Sequence, residues 1–161
     1  GGKKRFIDKL QMVFDEGLYD PANEPDIAYP YLFSYFKGEE WRTQKETQRL
    51  LDKYFTTKPD GIPGNDDTGT MSSWAIFNMI GFYPDCPGLP EYTLTTPVFD
   101  KVTIRLDPKW YKEKELVIES NRAQPGTLYI NKVLLNGKKF NKYRITHDEL
   151  VHGQHIYFDL K

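Results

Sequence analysis

The apolar residues change period partway along the chain, and that change limits the fold more than any single motif. As far as about Ile80 they recur at helical spacing. Phe6, Ile7, Leu10, Val13 and Phe14 form one stripe, with Gly17 a suitable stop. Tyr29, Leu32, Phe33 and Phe36 predict a second helix, in which Pro30 is tolerable only near the first turn. Trp41 to Tyr54 predicts a third, with Leu50, Leu51 and Tyr54 toward one side. Met71, Trp74, Ala75 and Phe77 to Ile80 predict a fourth that is almost wholly apolar, and such a helix has to be enclosed by others. Beyond Tyr92 the pattern alternates. Val102, Ile104 and Leu106 point one way and Thr103 and Arg105 the other, and Leu116 and Ile118 behave similarly. Tyr129 to Leu135 runs into Asn136-Gly137, the strongest short hairpin signal, and His155 to Leu160 predicts a closing strand. The expectation is an α+β chain, helical over residues 1–90 and β-rich and antiparallel over 91–161. Four helices with one so apolar are not self-sufficient, so further helices are expected upstream.

Composition narrows the class of partner. The 161 residues carry 22 basic and 23 acidic side chains, a net charge of −1, which gives no reason to expect nucleic acid or an anionic membrane. No stretch approaches the roughly 18 apolar residues of a membrane span. One cysteine, Cys86, excludes an internal disulfide and a four-thiolate zinc site. Aromatic residues are abundant, with 11 Tyr, 10 Phe and 3 Trp. They serve equally as core and as stacking surfaces for sugar rings, so the count alone does not choose between the two.

Two loops concentrate polar residues in front of helices. The first is Asp20-Pro21-Ala22-Asn23-Glu24-Pro25-Asp26, the second Gly61-Ile62-Pro63-Gly64-Asn65-Asp66-Asp67-Thr68-Gly69. Each can end at a helix N-terminus, where unpaired N–H groups favour anions and oxygen ligands. Capping and turn formation account for either loop alone. The second holds more than a cap requires: Asn65, Asp66 and Asp67 are three oxygen-bearing residues in a row among glycines. Such a cluster suits a hard cation such as Ca²⁺, although the spacing is not that of an EF-hand. It also suits a general base, since crowded carboxylates raise one another's proton affinity. One carboxylate from each loop makes the pair that glycoside hydrolysis requires.

The order of the pieces sharpens this reading. Asn23-Glu24-Pro25, Pro30-Tyr31-Leu32, Trp41-Arg42-Thr43-Gln44, Gly61 to Asp67 and Met71-Ser72-Ser73-Trp74 resemble glycoside hydrolase family 92 in sequence and spacing. Gly81-Phe82-Tyr83-Pro84, Cys86-Pro87-Gly88, Phe99-Asp100-Lys101-Val102, Leu135-Asn136-Gly137 and Ile145-Thr146-His147 continue the match across essentially the whole chain. The resemblance implies an exo-acting, inverting, calcium-requiring α-mannosidase, with a catalytic (α/α)₆ barrel preceded by a β-sandwich. This chain would supply the last barrel helices and a C-terminal β segment, the N-terminal remainder of the polypeptide completing the enzyme. The partners implied are mannose-containing glycans, in a periplasmic, cell-surface or secreted setting. Glu24 matches the general acid. The base implied by the resemblance falls in the Gly-Asn-Asp-Asp loop, at Asp67 with Asp66 as runner-up, and Asp66 is also the candidate calcium ligand. Asn23, Trp41, Gln44 and Asn65 match positions around the sugar.

In outline, Glu24 protonates the leaving oxygen while a water on the opposite face gives a proton to the base, an arrangement that needs about 6.5–9.5 Å between carboxyl groups. One departure stands out. Members associated with α-1,2 linkages follow Asn-Glu-Pro with two histidines, where this chain has Ile27 and Ala28. Linkages of the α-1,2 type remain the first expectation, with a mannose-1-phosphodiester as the alternative substrate. A non-catalytic carbohydrate-binding or scaffold module, centred on Trp110 and Tyr111, is the alternative of a different class. His147, His152 and His155 lie close in sequence, but no carboxylate arrangement supports a metal site among them.

Overall fold

The structure, a computed structural model, describes residues 2–122 and 127–161. It is helical at first and sheet-bearing afterwards, and it divides into two compact units, 1–75 and 76–161. The boundary set by compactness falls within one helix, whereas the division expected at residue 90 marks the change from helical to alternating apolar period.

In the first unit, α1 (Lys3–Asp15) buries Ile7, Leu10 and Phe14, and the chain leaves it through Gly17 at φ 70°, the left-handed turn glycine allows. The second helix differs from expectation. It is a 3₁₀ helix, Glu24–Tyr35, that begins right after Asn23 and contains Pro30. Proline lacks a backbone N–H, and in an α-helix its ring would clash with the carbonyl four residues back, so a continuous α-helix is disfavoured there. At three residues per turn Ile27, Pro30 and Phe33 eclipse one another, and all three are buried. Tyr29 and Leu32, chosen on a 3.6-residue period, are only half-buried. Next comes α2 (Glu40–Tyr54), packed on the 3₁₀ helix. Its inward face is polar over much of its length, burying Thr43, Gln44, Glu46, Thr47 and Gln48 beside Leu50 and Leu51. Phe14 stacks on Tyr19 at 5.1 Å and meets Phe33 at 5.9 Å, while Trp74 stacks on Phe55 at 5.4 Å.

The last helix of the run, α3 (Thr70–Ile80), starts in the first unit and ends in the second. The second unit then holds two sheets. Strands β1 (Phe82–Tyr83), β2 (Glu91–Leu94) and β7 (Arg144–Thr146) form one, in the order β1-β2-β7. The other runs β3-β4-β8-β5-β6, with β3 at Lys101–Arg105, β4 at Glu115–Ser120, β5 at Ile130–Leu135, β6 at Lys138–Phe140 and β8 at His155–Leu160. Asn136 and Gly137, at φ 50° and 75°, close the β5–β6 hairpin where the Asn-Gly signal placed it.

Two features depart from the expected antiparallel β tail. The terminal strand β8 is central, and it pairs with β4 in parallel, Val117 opposite His155. A parallel pair needs a long crossover, which β5 to β7 and the short helix α4 (His147–Gly153) supply. Helix α4 itself was not foreseen. The core of this unit gathers Phe82, Leu94, Leu116, Ile118, Val133, Ile145, Ile156 and Phe158, each at most 4 % exposed.

Candidate active site

The candidate catalytic and sugar-binding residues of the mannosidase reading all lie in the first unit, whereas Trp110 and Tyr111 of the alternative lie in the second. In the first loop the backbone is tied by Asp26, which is 7 % exposed. Its carboxylate accepts hydrogen bonds from the Asp20 N–H at 3.0 Å and the Asn23 side-chain amide at 3.1 Å. Asn23 therefore braces the loop, and Glu24 follows as the first residue of the 3₁₀ helix with its side chain exposed. Asp26 was not singled out in the sequence, because a bracing carboxylate and a solvated one look alike there. Ile27 faces the core and Ala28 faces solvent, so the first histidine-replacing position is a packing position here.

The second loop is wound tightly by its glycines. A side chain on Gly61 would meet the Thr56 carbonyl oxygen at 2.1 Å, so only glycine closes the Thr56–Gly61 turn. Gly64, at φ 67°, sits against the first loop: a Cβ there would lie 2.6 Å from the Cβ of Ala22. The two loops are thus in direct contact, two residues before Glu24 and three before Asp67.

Asp66 and Asp67 separate cleanly in role. Asp66 fastens the start of α3, its two carboxylate oxygens accepting from the Ser72 N–H at 2.8 Å and the Ser72 hydroxyl at 2.9 Å. Asp67, Thr68 and Gly69 follow with φ of 46°, 61° and 90°. That left-handed run presents the Asp67 carbonyl to the Thr70 N–H and hydroxyl and leaves the Asp67 side chain in solvent. Among the described residues the carboxylates of Glu24 and Asp67 have no hydrogen-bond or ion-pair partner. Asn65, two residues before Asp67, is exposed as well. On α2, Trp41 is 40 % exposed, with the Arg42 guanidinium 4.5 Å from its ring, whereas Gln44 is enclosed at 2 %.

Among the described residues no three His, Cys, Asp or Glu side chains gather as metal ligands. Calcium takes about 6–8 oxygens, and Asp66 has both of its carboxylate oxygens on Ser72. The residues present do not make a calcium site by themselves. The three histidines are apart in function: His147 lies between the Tyr92 and Tyr111 hydroxyls, His152 meets the Asp148 carbonyl, and His155 meets Glu119 at 2.8 Å.

Comparison with known proteins identifies the family. Residues 1–161 match the Glycosyl hydrolase family 92 catalytic domain. An α-mannosidase of that family from Bacteroides thetaiotaomicron, also solved in complex with mannoimidazole, superposes with a TM-score of 0.86 at 32 % identity over 99 % of this chain and 21 % of its own. A family 92 inverting mannosidase from the same organism gives 0.78 at 34 % identity, over 96 % of this chain and 20 % of its own. An uncharacterized secreted glycosidase of Arthroderma benhamiae is 29 % identical over 95 % of this chain and 20 % of its own length. This chain thus spans about a fifth of the relatives it matches. With a match from first residue to last, the chain belongs to glycoside hydrolase family 92.

Proposed function

We propose that the whole protein carrying this chain is an exo-glycosidase that releases terminal α-linked mannose with inversion, using Glu24 as general acid and Asp67 as general base. The observation that carries the assignment is the contact of Gly64 with Ala22, which ties together two loops that each present an exposed carboxylate with no hydrogen-bond or ion-pair partner among the described residues. Glu24 protonates the leaving oxygen. Asp67 takes a proton from a water on the far face of the ring, and that water attacks the anomeric carbon. Asp67 is preferred to Asp66 as the base because Asp66 already accepts two hydrogen bonds that hold α3. Exposed Trp41 is the stacking wall for the sugar, with Asn65 offering a polar contact. The secreted relative supports action on glycans outside the cytoplasm, and no helix among the described residues is long and apolar enough to cross a membrane.

The test uses Glu24→Gln and Asp67→Asn in the whole protein with an α-1,2-mannobiose. Each is expected to lose roughly 10²–10⁴-fold in kcat. A dinitrophenyl mannoside, whose leaving group needs no proton, should restore Glu24→Gln and leave Asp67→Asn slow. Wild-type rates in either variant would sink its assignment, and β-mannose as the first product by NMR is the signature of inversion. A mannose-1-phosphodiester run in parallel separates the alternative substrate suggested by Ile27 and Ala28. Calcium dependence is part of the proposal, with its ligands placed in the rest of the polypeptide and no chemical step assigned to it here. Chelation should abolish mannose release and added calcium restore it; indifference to chelation removes calcium from the proposal.

A further inference from the structure

The second unit carries a basic hollow that the mannosidase reading does not use. Where β5 and β6 diverge, beside an irregularity in the β5–β8 pairing at Asn131, a concave space of about 200 Å³ is lined by Asn131, Lys132, Lys139, Asn141, Lys142 and Tyr143, among others. Bulges of this kind bend a strand and recur next to binding sites. Register places Lys132 and Lys139 on one face. Lys139 lies opposite Leu134, and Lys132, two residues before Leu134, points the same way. Both ammonium groups are exposed, and neither has a hydrogen-bond or ion-pair partner among the described residues. The third lysine is neutralised: Lys142 pairs with Glu149 at 2.7 Å, and Asn131 donates to Asp159 at 2.8 Å. Among the described residues no carboxylate is in the lining itself, and Asp159 stands next to it through Asn131. Asp159 of β8 lies opposite Lys132 and takes its hydrogen bond from Asn131, so the face keeps a net positive charge, carried chiefly by Lys139, over a concavity bordered by amide groups that can donate.

We infer that this hollow binds one tetrahedral oxyanion, a sulfate or phosphate group, either free or esterified to a glycan. A space of about 200 Å³ has room for one such anion. Two ammonium donors and neighbouring amides match the acceptor-only surface of the ligand. Attraction of this kind is screened over about 8 Å at physiological salt, so binding should weaken as salt rises. The oxyanion assignment is independent of the mannosidase reading; only the glycan source rests on it.

The experiment titrates the whole protein at low ionic strength with sodium sulfate, with glucose 6-sulfate and with uncharged glucose as ligands, followed by calorimetry. Sulfate avoids precipitating calcium. Sulfate and the sulfate ester should bind and glucose should not. A free-ion site takes sulfate alone, whereas a glycan-ester site takes the ester more tightly. Lys132→Ala and Lys139→Ala should each weaken binding about fivefold, and Lys132→Glu with Lys139→Glu should abolish it. The matched charge reversal Lys4→Glu with Lys9→Glu on α1 should leave it intact. Release of mannose from a neutral mannobiose should be unchanged in all of these, which keeps this test separate from that of Glu24 and Asp67. Undiminished sulfate binding in the alanine or glutamate variants overturns the inference, as does equal loss in the α1 control. Protection of Lys132 and Lys139 from acetylation in the native whole protein also overturns it, because the hollow would then be covered.

Discussion

Thr68 is the residue least suited to its backbone. A β-branched side chain at φ 61° costs about 1–2 kcal/mol. Its neighbours bear the same left-handed run more easily, Asp67 because aspartate tolerates it and Gly69 because glycine has no Cβ. Thr68→Gly is therefore expected to raise the stability of the whole protein by about 1 kcal/mol in urea unfolding. A loss instead would show that the Thr68 side chain makes a contact worth more than the strain. The closest approach between the loops makes a second prediction. Gly64→Ala forces its Cβ to within 2.6 Å of that of Ala22 and should displace the loops, lowering mannose release by roughly 10- to 10²-fold. Combining it with Ala22→Gly removes the other half of the clash, so the double variant should recover much of the activity. Alanine at φ 67° is itself strained, so the urea stability of the double variant is measured beside its activity: no recovery at wild-type stability would mean that the contact does not set the spacing of the carboxylates.

At the scale of elements, polar networks do work that the apolar pattern does not reveal. Glu46 of α2 is fully buried, accepts from the Gln11 side chain of α1 at 2.8 Å, and has Arg49 Nε at 2.8 Å as an ion pair. Arg49 also reaches the Phe14 carbonyl at the end of α1. Glu46→Leu should cost about 2 kcal/mol, the lower part of the range for charge-assisted bonds, because half-exposed Arg49 can turn to water. Helix α4 is held by a capping box in which Thr146 and Glu149 exchange hydrogen bonds. The Lys142 ammonium first, and the Thr146 N–H second, hold the Glu149 carboxyl below its ordinary value of 4.5. A lowered folded-state value means stability that is present above pH 4.5 and lost as the pH falls through the folded value. Amide exchange in α4 should therefore be slower in wild type than in Glu149→Gln at pH 7, and the gap should close on acidification below 4.5. A gap that persists in acid would rule out the charge as its source. The capping box was legible as Thr146-x-x-Glu149, yet the short helix was passed over because His147 to Gly153 is too brief for a periodic stripe. A helix is legible around Tyr29 to Phe36, but not its 3₁₀ winding, because a three-residue period aligns Ile27, Pro30 and Phe33, a pattern a 3.6-residue template does not collect. Strand β8 was readable from its own alternation, but its parallel partner was not, since alternation reports which face is buried and carries no direction. Glu24 and Asp67 were visible only through the resemblance. Their exposure, the bracing by Asp26 and the fastening of α3 by Asp66 depend on contacts that neighbours in sequence do not announce.

For the whole molecule, magnitudes decide how much this chain can do alone. Acid–base assistance by positioned carboxylates contributes typically about 10²–10⁴-fold. Glycosidase-class acceleration belongs to a range of about 10⁶–10¹⁷-fold, so most of it comes from enclosure, orientation and exclusion of water. Glu24 and Asp67 stand in solvent here, where the high dielectric weakens every interaction with developing charge. The hollows along α1 and beside β5 include neither of them. Ile76 of the apolar helix α3 is 57 % exposed, a surface that the enclosing helices foreseen from its sequence would cover. Relatives are about five times longer than this chain, and in this reading their remaining length supplies the walls of the sugar site. The purified 161-residue chain should therefore release no more mannose from mannobiose than its own Glu24→Gln variant over hours, while the whole protein turns over. Release by the chain alone, abolished by Glu24→Gln, would show that the two loops suffice for catalysis and that the surrounding length serves another purpose.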